Sequence, residues 1–372
     1  MPSLARADGA PTDPVFRRQL WWALLLTLLA NACALLTPII NEGDSVTYAV
    51  LAQHMVQSGN WIDLVLDQKD WLDKPHFPFW LTALSFQCFG VNAFGYILPG
   101  YLFHLLGGYF TYRLARLFYG RETALLAALL YASTYHLMYT SSAIKAEAYL
   151  SGSITGACYY LLRFDAQGRF KHLLLGALLA ATALMTKGLF TLITIGSGLV
   201  CMWLYQGRWR QIYQPRWLLA LLLTLLCCAP ELLALYLQFD AHPEKQVFGQ
   251  TQVSGIRFFL WVSQFGRFFN TGPIRNEAGS PWYYLHVFVW AFLPWVALFG
   301  VALLGGLRRF ASASAAWRAQ FVYLCAAFFV TFVVFSATSF QLDYYTVILV
   351  PFANVLCADA LRRWLDQGGR AY

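Results

Sequence analysis

Charge is what this sequence has least of. Only 12% of its 372 residues are Asp, Glu, Lys or Arg, against about 25% in an ordinary soluble domain. A water-soluble fold is excluded by that shortage. Metal-ligand spacing is also missing. The eight cysteines stand in no paired pattern, and nearly all fall in apolar runs, where cysteine behaves as a small hydrophobe. Neither a disulfide framework nor a structural zinc site follows. There is no internal repeat, no low-complexity tract and no glycine-rich loop of the kind that cradles nucleotide phosphates. The first apolar run, residues 20–40, lacks a convincing small-residue cleavage site and is followed by many runs like it, so it is not a removable signal peptide.

What is present is apolar. Hydrophobic residues make up 59% and aromatics 17%, and the mean hydropathy is +0.52. A bilayer span needs about 20 such residues. Ten segments qualify: 20–40, 95–112, 122–140, 144–162, 172–187, 188–206, 216–237, 282–305, 319–337 and 343–361. Residues 77–92 are apolar but short, which predicts an interfacial or re-entrant helix. The fold class expected is therefore an all-α polytopic membrane protein. Residues 1–19 and 362–372 are short tails around a transmembrane domain over 20–361.

The basic residues orient it. Eighteen of the 26 lysines and arginines fall in one set of short loops and the two tails, including Arg17, Arg18, Arg113, Arg208, Arg308 and Arg363. The positive-inside rule makes those loops cytoplasmic. The isoelectric point near 9.1 is thus mostly a topology signal and not a sign of nucleic-acid binding. Twelve of the 18 acids fall on the other side or near its boundary. That outer side also carries the two long connections, 41–94 and 238–281, where function is expected to reside.

Several polar groups collect at that boundary. In "NEGDSVTYAVLAQHM" (41–55), Tyr48, Leu51, Ala52 and Met55 form one helical stripe, with Asp44 where an N-cap would sit. This predicts a helix lying in the membrane surface. "DWLDKPHFPFW" (70–80) sets Asp73 and Lys74 before Pro75, a helix-starting proline. Lys145 and Glu147 open the fourth apolar segment, and an acid there must be solvated or paired. A Lys145–Glu147 surface pair is the plain alternative. Lys187 in "TKG" closes the fifth segment and could be a snorkelling anchor. Arg267, Arg275 and Glu277 precede the eighth, Asp343, Tyr344 and Tyr345 open the tenth, and Glu231 lies late in the seventh. His54, His76, His242 and His286 lack paired spacing and read as packing or headgroup contacts. Singly, each has an ordinary explanation. Together, acids, cations and tyrosines at one depth describe a site at a membrane surface.

Six motifs in order carry a resemblance to a family. "GDSVTYA" resembles the Asp-Glu-x-x-Tyr-like motif of the membrane-embedded GT-C glycosyltransferases, with Asp44 and Tyr48 kept, Ser45 in place of the usual Glu and Thr47 in place of the usual Arg. "DKPHFPFW" with Lys74 is similar to the family's Lys-Pro-Pro motif, Glu147 to its second acidic motif, "LMTKGLF" with Lys187 to "LTKG", and "GSPWYYL" to Pro-Phe-Trp-Tyr-Tyr-Leu. "QLDYY" keeps Tyr345 of a late Lys-Leu-Pro-His-Tyr motif but not its lysine. The nearest branch is that of the lipid A aminoarabinose transferases and the bacterial relatives of protein O-mannosyltransferases. Larger relatives add spans or a soluble C-terminal domain, which this chain is expected to lack.

The resemblance implies a GT-C-type helical bundle with interfacial helices on its outer face. It also implies a glycosyltransferase in the bacterial inner membrane that moves a sugar from a polyprenyl phosphate to a lipid, glycan or protein acceptor, with inversion. The physical reading agrees: an outer face has no nucleotide-sugar pool, so an activated sugar must arrive on a lipid. Lys74, Arg267 and Tyr345, with Lys187, are the expected phosphate ligands. Tyr48 joins them in substrate binding through its motif. Asp44 is the expected general base, with Glu147 orienting the acceptor or sharing that role. Relatives sometimes hold a divalent metal ion, for which Asp73 and Glu277 are the candidate oxygen donors. Two rivals remain, a lipid or solute transporter, for which Glu231 would be the telling residue, and a non-catalytic membrane scaffold.

Overall fold

A computed structural model describes residues 13–37, 40, 43–142 and 144–368. Nearly all of its regular structure is helix. In chain order the helices are α1 (Pro14–Ala32), α2 (Asp44–Ser58), α3 (Phe77–Phe89), α4 (Ala93–Phe118), α5 (Arg121–Ala132), α6 (Tyr135–Thr140), α7 (Ala146–Gln167), α8 (Phe170–Lys187), α9 (Phe190–Tyr205), α10 (Pro215–Cys227), α11 (Ala229–Leu235), α12 (Gly255–Arg257), α13 (Ser263–Phe268), α14 (Tyr283–Ala291), α15 (Val296–Arg309), α16 (Ala315–Ser336) and α17 (Val350–Asp366). A 3₁₀ turn, Asp343–Leu349, leads into α17, and a two-residue hairpin pairs Val65–Leu66 with Lys69–Asp70.

Helix α7 is the axis of the bundle. It is buried almost throughout and packs on α4, α8 and α9. Small residues make this possible: a Cβ at Gly152 would lie 2.7 Å from the Phe103 carbonyl oxygen of α4, so glycine lets the two backbones meet. Helices α1 and α10 are at the periphery. Most of their leucines and tryptophans are exposed, as surfaces facing hydrocarbon would be.

Among the described residues, Pro14–Leu36, Phe170–Lys187, Ala315–Ser336 and Asp343–Asp366 are long and apolar enough to cross a membrane, and six spans result if each of two bent pairs is one. The expected straight segments break at identifiable residues. The 282–305 segment is α14 and α15 at 110° to each other, with Pro294, which has no N–H to continue the ladder, in the corner. The 216–237 segment bends by 46° between α10 and α11, where Pro230 follows Cys228. The 122–140 segment stops at Ser133, whose hydroxyl bonds back to Leu129, and resumes as α6. Within the short apolar run 77–92, residues Phe77–Phe89 form the helix α3.

Two expectations about ionisable side chains need correcting. Asp44 does not cap α2. It is the first helical residue, Gly43 holds the cap position, and no side chain bonds the cap. Its neighbour Glu42 lies outside the described residues. Glu231 is not a lone acid on a pathway: it meets His76, for which the packing reading holds and the headgroup reading does not. Both are fully buried. Glu231 Oε2 accepts from the His76 backbone N–H at 2.8 Å, and Oε1 lies 2.9 Å from Nδ1. His76 Nε2 lies 2.8 Å from the Ile62 carbonyl oxygen. A carbonyl can only accept, so Nε2 carries hydrogen, and the carboxylate calls for hydrogen on Nδ1 as well. Burial alone would lower the His76 pKa, but Glu231 outweighs it and the ring is held above its usual value of 6.5. The pair fastens the 60–76 connection to α11.

Breaking a buried charge pair from one side costs about 3–5 kcal/mol, so Glu231→Gln should lower the unfolding temperature of detergent-purified protein markedly. Because folding raises the His76 pKa, its contribution is complete below about pH 6.5 and is lost as pH rises through the higher folded value. Thermal melts of the wild type from pH 6 upward should show this loss, and Glu231→Gln should flatten it. Equal slopes in both proteins would mean that the ring is not charged in the fold.

Candidate active site

The first turn of α2, the 70–76 segment, the head of α7, the tail of α8, α13 and the Asp343–Leu349 turn converge at one end of the bundle. Each brings a polar side chain there for a local reason. Pro75 and Pro78 shape the entry to α3 and leave Asp73 and Lys74 just before it. Gly188 ends α8 at φ +97°, and a Cβ there would lie 2.1 Å from the Gln264 amide nitrogen. Only glycine fits, and Lys187 is thereby fixed as the last helical residue. Glu147 sits in the first turn of α7, where the helix dipole favours a carboxylate.

Two clusters result. In the first, Asp73 lies between two cations. Lys74 Nζ is 2.7 Å from Asp73 Oδ2, while Arg267 contacts Oδ1 and also donates to the Asp73 carbonyl at 3.1 Å. Burial would raise the Asp73 pKa, but Lys74 and Arg267 reverse this and hold it below the usual carboxylate range. In the second, Glu147 is 1% exposed and pairs through Oε1 with Lys187. Its Oε2 has no hydrogen-bond partner among the described residues. Lys187 Nζ lies 4.2 Å from the centre of the Tyr345 ring and 5.4 Å from that of Tyr344.

Tyr344 ties Asp44 to this arrangement. Its hydroxyl donates to Asp44 Oδ2 at 3.2 Å, and Lys145 Nζ sits 4.2 Å from the same ring's centre. The plain alternative, a Lys145–Glu147 surface pair, is not formed among the described residues: each finds a different partner. Nor is Lys187 a snorkelling anchor, since its side chain is only 14% exposed. Ser45, where the resembled motif has Glu, donates to the Ile144 carbonyl at 2.9 Å and holds α2 against the residue before Lys145. Tyr48 is buried edge-on to Phe79 with its hydroxyl unpartnered among the described residues. Burial first, then the negative field of Asp44, Glu147 and Asp73, raises its pKa well above 10.0, so it is a neutral phenol.

All seven expected substrate and catalytic residues (Asp44, Tyr48, Lys74, Glu147, Lys187, Arg267 and Tyr345) thus belong to this region. Glu147, Lys187, Arg267 and Tyr345 line one cleft of about 650 Å³, open mouth included. Lys74 and Asp73 line a smaller neighbouring one that shares Lys187 and Arg267. Most of the larger cleft is apolar wall, such as Leu150, Phe190, Phe335 and Ile348. With Lys145 counted, four cations face three carboxylates, an excess of one positive charge. An apolar trough ending in cations suits an amphiphile with an anionic head.

Sequence reasoning passed over Tyr344 and Lys145 as site residues. The signal was present, since Tyr344 adjoins Tyr345 and Lys145 lies two residues before Glu147, but only the fold sets one against the other. Arg275 and Glu277 stand on the exposed 270–280 loop. The metal candidates do not fit a metal: both Asp73 carboxylate oxygens are engaged by cations, Glu277 is exposed, and no three His, Cys, Asp or Glu side chains cluster among the described residues.

Known proteins resemble this chain in sequence and in fold. Residues 73–233 match the model of the family described as dolichyl-phosphate-mannose-protein mannosyltransferase. The chain is 29% identical over 323 residues to the undecaprenyl phosphate-alpha-4-amino-4-deoxy-L-arabinose arabinosyl transferase of Pseudomonas aeruginosa (strain UCBPP-PA14), covering 84% of this chain and 55% of that protein. A Proteus mirabilis transferase of the same name, numbered 2, is 25% identical over 342 residues, 90% of this chain and 58% of that one. The chain thus spans little more than half the length of these relatives. Among solved structures, ArnT from Cupriavidus metallidurans bound to undecaprenyl phosphate superposes with a TM-score of 0.76 at 20% identity, covering 96% of this chain and 62% of that one. The Archaeoglobus fulgidus oligosaccharyltransferase in the apo form gives 0.63 at 12% identity, over 94% of this chain and 51% of that one. The family match over residues 73–233 covers less than half of this chain, and along nearly its whole length the chain shares the fold of ArnT.

Proposed function

We propose that this chain is a glycosyltransferase that takes a sugar from a polyprenyl phosphate and passes it to a hydroxyl or phosphate acceptor on a lipid, glycan or protein, at the outer face of the bacterial inner membrane. The observation that carries the reading is the apolar trough ending at Lys187 and Arg267. The isoprenoid lies along the apolar wall and its phosphate meets the cations. The arabinosyl transferase relatives, whose names specify an undecaprenyl phosphate sugar, support the donor class and favour a pentose.

Transfer is a single displacement. The acceptor oxygen attacks the anomeric carbon from the face opposite the phosphate, the carbon–oxygen bond to phosphate breaks, and configuration inverts. Asp44 takes the acceptor's proton, with the Tyr344 hydroxyl fixing one of its oxygens. The unpartnered Oε2 of Glu147 accepts from an acceptor or sugar hydroxyl. The Tyr48 phenol, also unpartnered, is a second contact. The departing polyprenyl phosphate gains negative charge as the bond breaks, and Lys74, Lys187 and Arg267, together with the Tyr345 hydroxyl, stabilise it there. Of the rivals, a transporter loses support because Glu231, its telling residue, is sealed against His76. A scaffold gives no reason to gather Lys187 and Arg267 at the end of an apolar trough.

The same reading includes about ten spans with both ends inside, and α2 and α3 lying at the outer surface. A reporter fused near residue 245 should be external, and one in the 207–216 loop cytoplasmic. A cytoplasmic signal at 245 would turn the site toward the nucleotide-sugar pool and end the proposal of a lipid-linked donor.

Asp44→Asn should leave folding and donor binding near normal while sugar transfer falls by about 10²–10⁴, the range for a lost general base. The measurement is transfer by purified variants at matched thermal stability. Wild-type turnover by Asp44→Asn would remove Asp44 from the mechanism and leave Glu147 as the base to test.

Lys74→Ala should weaken binding of polyprenyl phosphate, while Lys69→Ala, at an exposed hairpin residue, should not. Titration of both purified variants with the lipid decides this. Equal affinities would reduce Lys74 to a partner of Asp73.

A further inference from the structure

A second charged cleft lies at the other end of the bundle. Arg308 and Arg309 close α15 and Arg363 stands in the last turn of α17. With Gly305, Ser312 and Gln367 these arginines line a cleft of about 780 Å³, open mouth included. Along α17, Arg363 stands 14 residues beyond the end of the Asp343–Leu349 turn, about 21 Å of helix. None of the groups proposed for sugar transfer reaches it.

This cleft is built and not merely basic. Trp317 of α16, buried behind the lining, anchors two of its arginines. The Arg309 and Arg363 guanidinium carbons lie 5.2 and 5.4 Å from the centre of the Trp317 ring. Asp359 accepts from the Trp317 indole N–H at 3.1 Å and pairs with Arg363 at 3.0 Å. Two of the three guanidiniums are thereby held in place before any ligand arrives. The neighbouring Arg362 is turned away into pairs with Glu122 and Asp366. Among the described residues, the carboxylate of Asp359 stands against three arginines, which leaves two positive charges in excess.

The surface beside the cleft is hydrocarbon-like. Val301, Leu304 and Leu307 of α15 are 48%, 59% and 63% exposed, and they recur at three-residue intervals on one stripe that leads to Arg308. A ligand matching both parts has a phosphate at the arginines and acyl chains along α15. The geometry points to a binding site for an anionic phospholipid of the leaflet opposite the candidate active site, with its phosphate between Arg308, Arg309 and Arg363. The inference rests on the membrane-spanning reading and is independent of sugar transfer, so either can fail alone. A bound lipid here would link α15 to α17, whose leading turn carries Tyr344 and Tyr345.

The test uses the full chain in detergent, with phosphatidylglycerol or phosphatidylcholine of matched acyl chains added in equal amounts and bound lipid read by native mass spectrometry. The wild type should retain phosphatidylglycerol preferentially. Arg308→Ala/Arg309→Ala should lower the retained phosphatidylglycerol by about tenfold, the loss expected for two interfacial cations, and leave phosphatidylcholine unchanged. Arg275→Ala, an exposed arginine at the other end, should behave as wild type. Arg308→Lys/Arg309→Lys should keep most of the preference, which separates lost charge from lost folding. Undiminished preference in the double alanine variant overturns the site. So does complete displacement of the lipid by excess inorganic phosphate, which would make it a pocket for a soluble anion.

Discussion

A carboxylate buried at the head of the core helix has to find a cation, and that requirement organises the rest of the site. Glu147 is 1% exposed, and an unpaired charge at that depth would cost several kcal/mol. Its partner, Lys187, is the last residue of α8, so the pair locks the start of α7 to the end of α8. Lys187 in turn lies over the Tyr345 and Tyr344 rings, and the Tyr344 hydroxyl reaches Asp44 on α2. One ion pair thus fixes the relative positions of four segments that are far apart in the chain.

The pairing is incomplete. One Glu147 oxygen and the Tyr48 hydroxyl are buried without partners among the described residues. Buried polar atoms normally have partners, so these two are available to a ligand without first breaking a bond. Asp73 differs. Held below the usual carboxylate range by its two cations, it serves to position Lys74 and Arg267. The same economy separates Glu231 from the site: His76 satisfies both of its oxygens, which makes it a fastener of the 60–76 connection.

The two ends of the bundle differ in composition as well as charge. At one end, acids and bases interleave with tyrosines, and the balance is close to neutral. At the other, arginines predominate over Asp359. The lysine and arginine bias along the chain is enough to sort these ends. It does not reveal that Trp317 gathers Arg309 and Arg363 into a cleft, because α15, α16 and α17 meet only through packing.

Composition and run length by themselves determined that the chain is helical and membrane-embedded, since a backbone in hydrocarbon must satisfy its own hydrogen bonds and too few charges are present for any other environment. Local signals also placed α2, α3, the head of α7 and the tail of α8, because prolines, glycines and the apolar stripe act within a few residues. Pairing was decided by the tertiary structure. Lys145 sits two residues from Glu147 yet contacts Tyr344, while Glu147 pairs with Lys187, 40 residues away. The sharp corner at Pro294 and the closure of Glu231 by His76 were likewise settled by packing. Hydropathy averages over a window and cannot see which side chain a buried charge will meet, for that depends on which helices lie side by side.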